Sequence, residues 1–245
     1  MNKVVLVTGS SKGLGSVIIK KFASNNYDVI INYNNSKKEA LELESFIKKN
    51  YKVNTLCLKC DVSKEQDVIY MVNIIKDKYK KIDCLVNNAA VFNDNIIDNK
   101  NKQDFSNILD VNLIGTYLVT KEVSKIMDKG SIINIASTNG IDTEYIESID
   151  YDASKAALIS LSRNFANYLA PNIRVNVVAP GWIDDNNSNS LNPSFKKEQM
   201  NKILLNRFAS QEEVANVVYF LASDDASYIN KSIIRVDGGL KWLII

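Results

Sequence analysis

Seven short runs rich in Val and Ile recur along the 245 residues: KVVLVT, DVIINY, VNTLCLK, IDCLVNN, SIINIAS, IRVNVVAP and SIIRVDG. Longer stretches with helical periodicity separate them, among them SKKEALELESFIKKN and EQDVIYMVNIIKDKY. In the first of these, Ala40, Leu41, Leu43, Phe46 and Ile47 approximate one apolar stripe, the pattern of a helix with one face on a core. Runs that are apolar nearly throughout suit strands buried on both faces. Strict alternation of strand and helix therefore predicts a parallel sheet covered by helices on both sides.

Right-handed crossovers make the doubly wound, Rossmann-type sheet of about seven strands the expected α/β architecture. No repeat or linker breaks the pattern, so residues 1–245 are expected to form a single domain. DDNNSNSLNPS, residues 184–194, reads as the one long polar loop.

Composition removes several classes of function. A formal net charge of +2 gives no basic field for nucleic acid. The N-terminal apolar run, Val4 to Val7, is too short for a signal peptide or a membrane span, so a cytoplasmic protein with no membrane partner is expected. The chain has no histidine. That excludes a His base, a Ser–His–Asp triad and His-ligated metal, and no metal site is expected. Cys57 and Cys60 have CxxC spacing, but on a strand residues three apart face opposite sides. With Cys84 they are read as packing residues.

The first strand runs directly into TGSSKGLG, Thr8 to Gly15. A glycine-rich turn between strand and helix lets backbone N–H groups approach a pyrophosphate, whose charge the helix N-terminus favours. Gly9, Gly13 and Gly15, with Ser11, Lys12 and Leu14 between them, are thus candidate cofactor contacts. The second strand ends in Asn32, Tyr33, Asn34 and Asn35, where NAD sites place a carboxylate on the ribose 2′-OH. A carboxylate would repel a 2′-phosphate. Its absence, with Lys12 and Lys37 or Lys38 at hand, favours NADP(H) over NAD(H).

In YDASK, Tyr151 and Lys155 would share a helix face. The segments TGSSKGLG, CDVS, NNAA, VNLIGTYLV, INIAS, YDASKAAL, VAPG and FLASDDASYI…VDGG fall in order on the expected elements. Together they resemble the short-chain dehydrogenase/reductase family from Lys3 to Gly239, and most closely its 3-oxoacyl-carrier-protein reductases. The resemblance implies a catalytic tetrad of Asn112, Ser137, Tyr151 and Lys155 for carbonyl–alcohol interconversion. Tyr151 would be the acid, its phenol pKa lowered by the neighbouring ammonium, and Ser137 would donate to the same oxygen. Lys155 would also bind the nicotinamide ribose beside Tyr151, and Asn112 would hold a water. Further cofactor contacts implied are Asp61 and Val62 at the adenine, Asn88 and Ala89 by the ribose, and Pro180, Gly181 and Ile183 near the nicotinamide. Ala90 stands where glycine is usual. After PG no threonine follows, with Ser188 the nearest substitute.

The resemblance also implies a homotetramer, paired through helices at residues 102–127 and 150–170. On the substrate, carrier-protein reductases dock an acidic partner on arginines in the turns before strands five and six. Here those turns read MDKGS and LAPNI, with only Lys129. Asp142, Glu144, Glu147 and Asp150 lie between Ser137 and Tyr151, near the expected site mouth. These charges disfavour acyl carrier protein and favour a small or free carbonyl, or a hydroxysteroid or polyol, as substrate. The carrier-linked 3-oxoacyl group is the alternative. A non-catalytic nucleotide-binding regulator is the third reading, against which the complete tetrad argues.

Overall fold

A computed structural model describes residues 2–142 and 145–241, the side chains of Asn186 and Asn187 excepted. Its strands are β1 (Val4–Val7), β2 (Asp28–Tyr33), β3 (Thr55–Lys59), β4 (Cys84–Asn87), β5 (Gly130–Ile135), β6 (Ile173–Pro180) and β7 (Ile233–Val236). They form one sheet in the order β3-β2-β1-β4-β5-β6-β7, parallel throughout. The doubly wound expectation is met. The order reverses between β1 and β4, and a crevice opens beyond the strands' C-terminal ends at such a switch point.

Period-two alternation along the strands feeds two separate cores. Val5 and Val7 point to the side covered by α1 (Gly13–Ser24), α2 (Lys37–Asn50) and α9 (Gln211–Ala222), where Phe22, Ile47 and Val218 are buried. Val4 and Leu6 point to the other side, under α3 (Glu65–Tyr79), α5 (Thr116–Ser124) and α6 (Ile149–Leu169). Cys57 packs against the first core and Cys60 lies in the second, as opposite strand faces require. All three cysteines are free thiols, pushed up to about 11 or 12 by burial.

Two expectations need amending. On α2 only Ala40, Leu43 and Ile47 are buried; Leu41 and Phe46 sit at the stripe's margins, 44% exposed each. The expected loop 184–194 contains a short helix, α7 (Asn186–Asn189), and the start of α8 (Pro193–Asn201). Asn192 caps α8 by accepting from the Ser194 amide, and Pro193 begins it. That is ordinary N-terminal chemistry, hidden in a string too polar to show periodicity.

The remaining helix, α4 (Lys102–Leu109), runs into α5 through a π-helical turn at Asp110–Gly115. Such widened turns concentrate at functional sites. This one carries Asn112. No helix among the described residues is long and apolar enough to cross a membrane.

Candidate active site

The glycine turn leaves β1 with Gly9 and Gly13 at φ +61° and +54°, the left-handed region open to glycine. Lys12 precedes α1 without capping it by its side chain, and the first turn holds no acidic residue. Nothing stands within 4 Å of where a Gly13 Cβ would be. Uncapped N–H groups behind open space suit an anion such as a dinucleotide's pyrophosphate, so the residues present fit that group. Ser11 and Leu14 are partly buried in this turn, while Lys12 is exposed beside it.

Buried polar groups hold the turn from behind. The Thr8 hydroxyl accepts from the Asn88 and Ala89 amides, and the Asn88 side chain donates to the Thr8 and Gly9 carbonyls. Asn32 is equally committed. Its Oδ1 accepts from Gly9 N at 2.9 Å, and its Nδ2 donates to Cys60 O at 3.1 Å. Asn32 and Asn88 therefore brace the phosphate loop, and the Asn32 amide has turned away from any ribose. Tyr33 packs into the core as well. Of the β2 terminus only Asn34 and Asn35 are exposed. Val62 is buried. Ala90 is absent from the residues at positive φ, so the missing glycine costs the backbone nothing there.

At the far side of the crevice, Ser137 lies two residues past β5, and α6 brings Tyr151 and Lys155 beneath it. The Ser137 hydroxyl is near enough to Tyr151 to favour its phenolate. Lys155 is 2% exposed; its Nζ donates to Ile135 O at 2.8 Å and lies 5.4 Å from the Tyr151 ring centroid. Gly140 permits this approach: a Cβ there would stand 2.6 Å from the Lys155 carbonyl carbon. Gly140 escaped the sequence reading because a lone glycine in a polar loop carries no periodic signal.

Burial dominates the titration of both groups. It pushes the Tyr151 phenol up to about 12, which the Ser137 hydroxyl only partly offsets, and it pulls Lys155 down to about 8. The lowered phenol pKa expected at the sequence level is thus reversed, because desolvation, with the carboxylates of Asp152 and Asp94 adding to it, outweighs what Ser137 contributes. A phenol near 12 is fully protonated at neutral pH, the form a proton donor needs.

Asn112 is held by three hydrogen bonds of its own side chain. Its Oδ1 accepts from Val91 N at 2.8 Å, while Nδ2 donates to Val91 O at 2.9 Å and to Ser154 Oγ at 3.1 Å. With both amide protons spent, it ties the segment after β4 to α6. Phe92, next along that segment, meets the Tyr151 ring edge-on at 6.5 Å.

Pro180 ends β6, and Gly181 and Ile183 follow at the crevice, with Ile183 bridged to Ala209. Between them Trp182 stacks on Phe208 and donates through Nε1 to the Tyr145 hydroxyl, which donates onward to Gln199 Oε1. Ser188 turns inward, exchanging hydrogen bonds with Asp185, and does not replace the missing threonine.

Two of the four loop carboxylates are paired within the chain. Asp150 is fully buried in an ion pair with Lys100, Nζ to Oδ1 2.8 Å, and Lys100 also donates to Asn93 O. Asp142 pairs with Arg235 at 2.7 Å. Glu147 is exposed, and Glu144 lies outside the described residues. Lys129 immediately precedes β5, whereas Ser137 follows it, so the turns searched for docking arginines lie at the sheet's opposite end. The electrostatic case against an acidic partner is correspondingly weaker.

Residues 9–241 match the family described as enoyl-(acyl carrier protein) reductase, and solved short-chain dehydrogenase/reductases superpose end to end. The chain belongs to the short-chain dehydrogenase/reductase family. One such structure, a Serratia marcescens enzyme carrying two Phe-to-Leu substitutions, is 29% identical with a TM-score of 0.93 and covers 98% of each chain. Another, from Burkholderia xenovorans, is 28% identical with a TM-score of 0.89, again over 98% of each. A 3-oxoacyl-[acyl-carrier-protein] reductase of Staphylococcus epidermidis is 35% identical over 98% of this chain and 99% of its own. The Aquifex aeolicus protein of the same name is 38% identical over 97% of each. This short-chain dehydrogenase/reductase is accordingly an oxidoreductase that interconverts carbonyl and alcohol with a nicotinamide cofactor.

Proposed function

We propose that the enzyme reduces the 3-oxo group of an acyl thioester borne on an acyl carrier protein, using NADPH. The observation that carries this reading is end-to-end similarity to relatives of that name. The internal pairing of Asp142 and Asp150 weakens the physical objection to an acidic partner.

Reduced NADP supplies a hydride to the carbonyl carbon. The pyrophosphate would lie on the turn from Gly9 to Gly15, and Lys12, exposed there with no carboxylate at the end of β2, favours the 2′-phosphate form. As negative charge grows on the substrate oxygen, Tyr151 and Ser137 are the hydroxyls that stabilise it. An alkoxide is a far stronger base than a phenolate, so proton transfer from Tyr151 runs downhill even from a pKa near 12. Lys155, as its ammonium, then steadies the phenolate left behind. Phe92, edge-on to Tyr151, and the Tyr145–Trp182 pair next to Gly181 would offer apolar surface to an acyl chain.

The second reading is reduction of a small free carbonyl, or of a hydroxysteroid or polyol partner compound. Exposed Glu147 in the segment between Ser137 and Tyr151 favours it. Oxidation of NADPH and of NADH, followed with a 3-oxoacyl group on acyl carrier protein, on a short thioester and in a simple ketone, separates the two. Preference for the carrier-linked substrate with NADPH is expected. A simple ketone reduced far better than either thioester would overturn the proposal.

A further inference from the structure

Ser137 does not stand free in the crevice. Its Oγ accepts from Asn139 N at 3.2 Å and donates to Asn139 Oδ1 at 3.1 Å. On its other side, Asn139 Nδ2 donates to Asp152 Oδ1 at 2.7 Å. A carboxylate can only accept, so Asp152 fixes which way the Asn139 amide faces. The amide oxygen must then point at Ser137 and take its single proton. One Ser137 lone pair then remains for the neighbouring Tyr151 phenol.

Asp152 holds more than this one amide. Its Oδ1 also accepts from Ser148 Oγ at 2.8 Å, and its Oδ2 from Tyr145 N at 3.2 Å. One side chain, next to Tyr151 on α6, thereby gathers three points of the segment that begins at Ser137. Sequence reading singled out neither residue. Asn139 falls outside every motif, and Asp152 reads only as a spacer between Tyr151 and Lys155.

We propose that Asn139 and Asp152 are positioning residues that set the rotamer and proton direction of the Ser137 hydroxyl. The inference rests on the proposed role of Ser137 at the substrate oxygen. In the resting arrangement Asn139 Oδ1 is the acceptor for the Ser137 proton. When a carbonyl oxygen arrives, it competes for that proton, and Asn139 keeps the serine close to the one rotamer from which either acceptor is in reach. No covalent step is added; only hydrogen bonds are exchanged.

A double-mutant cycle tests this, read as kcat and KM for NADPH-dependent reduction of acetoacetyl-coenzyme A. Asn139→Ala removes one hydrogen bond acting through Ser137, so kcat should fall about ten-fold with KM changed less than about two-fold. In a Ser137→Ala background the same change should be silent. Asp152→Asn keeps the acceptor oxygen but lets the Asn139 amide flip. It should give a smaller kcat loss, about two- to five-fold, again silent without Ser137. If Asn139→Ala does not fold, the Asp152→Asn arm decides alone. Losses that multiply with Ser137→Ala, or an unchanged kcat in both variants, would overturn the proposal while leaving the reductase reading intact. Undiminished activity of Ser137→Ala itself would overturn both.

Discussion

Replacing Lys155 by Met should make the protein more stable at pH 7 while abolishing much of its activity. Burial lowers the Lys155 pKa from 10.5 to about 8, so the folded protein at neutral pH carries an ammonium it holds at a cost. That displacement corresponds to about 3 kcal/mol. Met is of similar length and apolar, but it leaves Ile135 O without its 2.8 Å donor, which takes back about 1 kcal/mol. The net gain at pH 7 is about 2 kcal/mol, or roughly 4–8 °C in Tm for a chain of this size. The sign of the pH dependence is fixed. Between about 8 and 10.5 the unfolded chain holds the proton that the folded wild type has shed, so wild-type stability rises with pH across that window. The advantage of Lys155→Met should therefore shrink from pH 8 upward and vanish or reverse by pH 10.5. Urea unfolding of both proteins at pH 7 and pH 10 measures this. A variant less stable than wild type at pH 7, or an advantage that widens with pH, would refute the reasoning.

Because the reaction needs Lys155 charged and Tyr151 protonated, kcat/KM for reduction should fall as pH rises through about 8, with no separate Tyr151 limb below pH 10; a profile flat to pH 10 would contradict this. Lys100→Met strands the fully buried Asp150 carboxylate and should cost about 3 kcal/mol in chemical denaturation. Adding Asp150→Asn should recover most of that loss, and no recovery would show that the pair is not coupled. Half-exposed Tyr117 and Ile149, with Tyr168 80% exposed, lie on α5 and α6, and Ile114 lies in the π-helical turn before α5; together they match the surface through which a homotetramer is expected to pair. Light scattering should give four times the chain mass for wild type and a smaller species for Tyr117→Lys; a wild-type monomer at micromolar concentration would refute the assembly.

The fold was legible in the sequence because each strand is a short, nearly uniform apolar run and each glycine or polar turn falls between runs. Where the signal was local, as for Gly9 and Gly13 in the phosphate turn, composition and geometry agree. Other misreadings share one cause: a sequence shows which charges and amides a chain has, and not which of them pair. Asn32 stood at the right place for a ribose but faces Gly9 and Cys60. Asp150 looked like a mouth carboxylate, yet Lys100, fifty positions earlier, neutralises it in the interior. Asn139 gains its place at Ser137 only because α6 brings Asp152 up behind it. The Tyr151 pKa was misjudged for a related reason, since the degree of desolvation depends on how tightly Phe92, Ser137 and α6 close around the phenol.

The central claim is that Tyr151 delivers the proton to a carbonyl oxygen during reduction. Tyr151→Phe removes that hydroxyl and keeps the ring against Phe92. Its kcat should be measured with NADPH and a 3-oxoacyl thioester, alongside the dissociation constant for NADPH by fluorescence titration. The account predicts that kcat falls by about 10² or more while NADPH affinity stays within a few-fold of wild type. Near-normal turnover in Tyr151→Phe would contradict it.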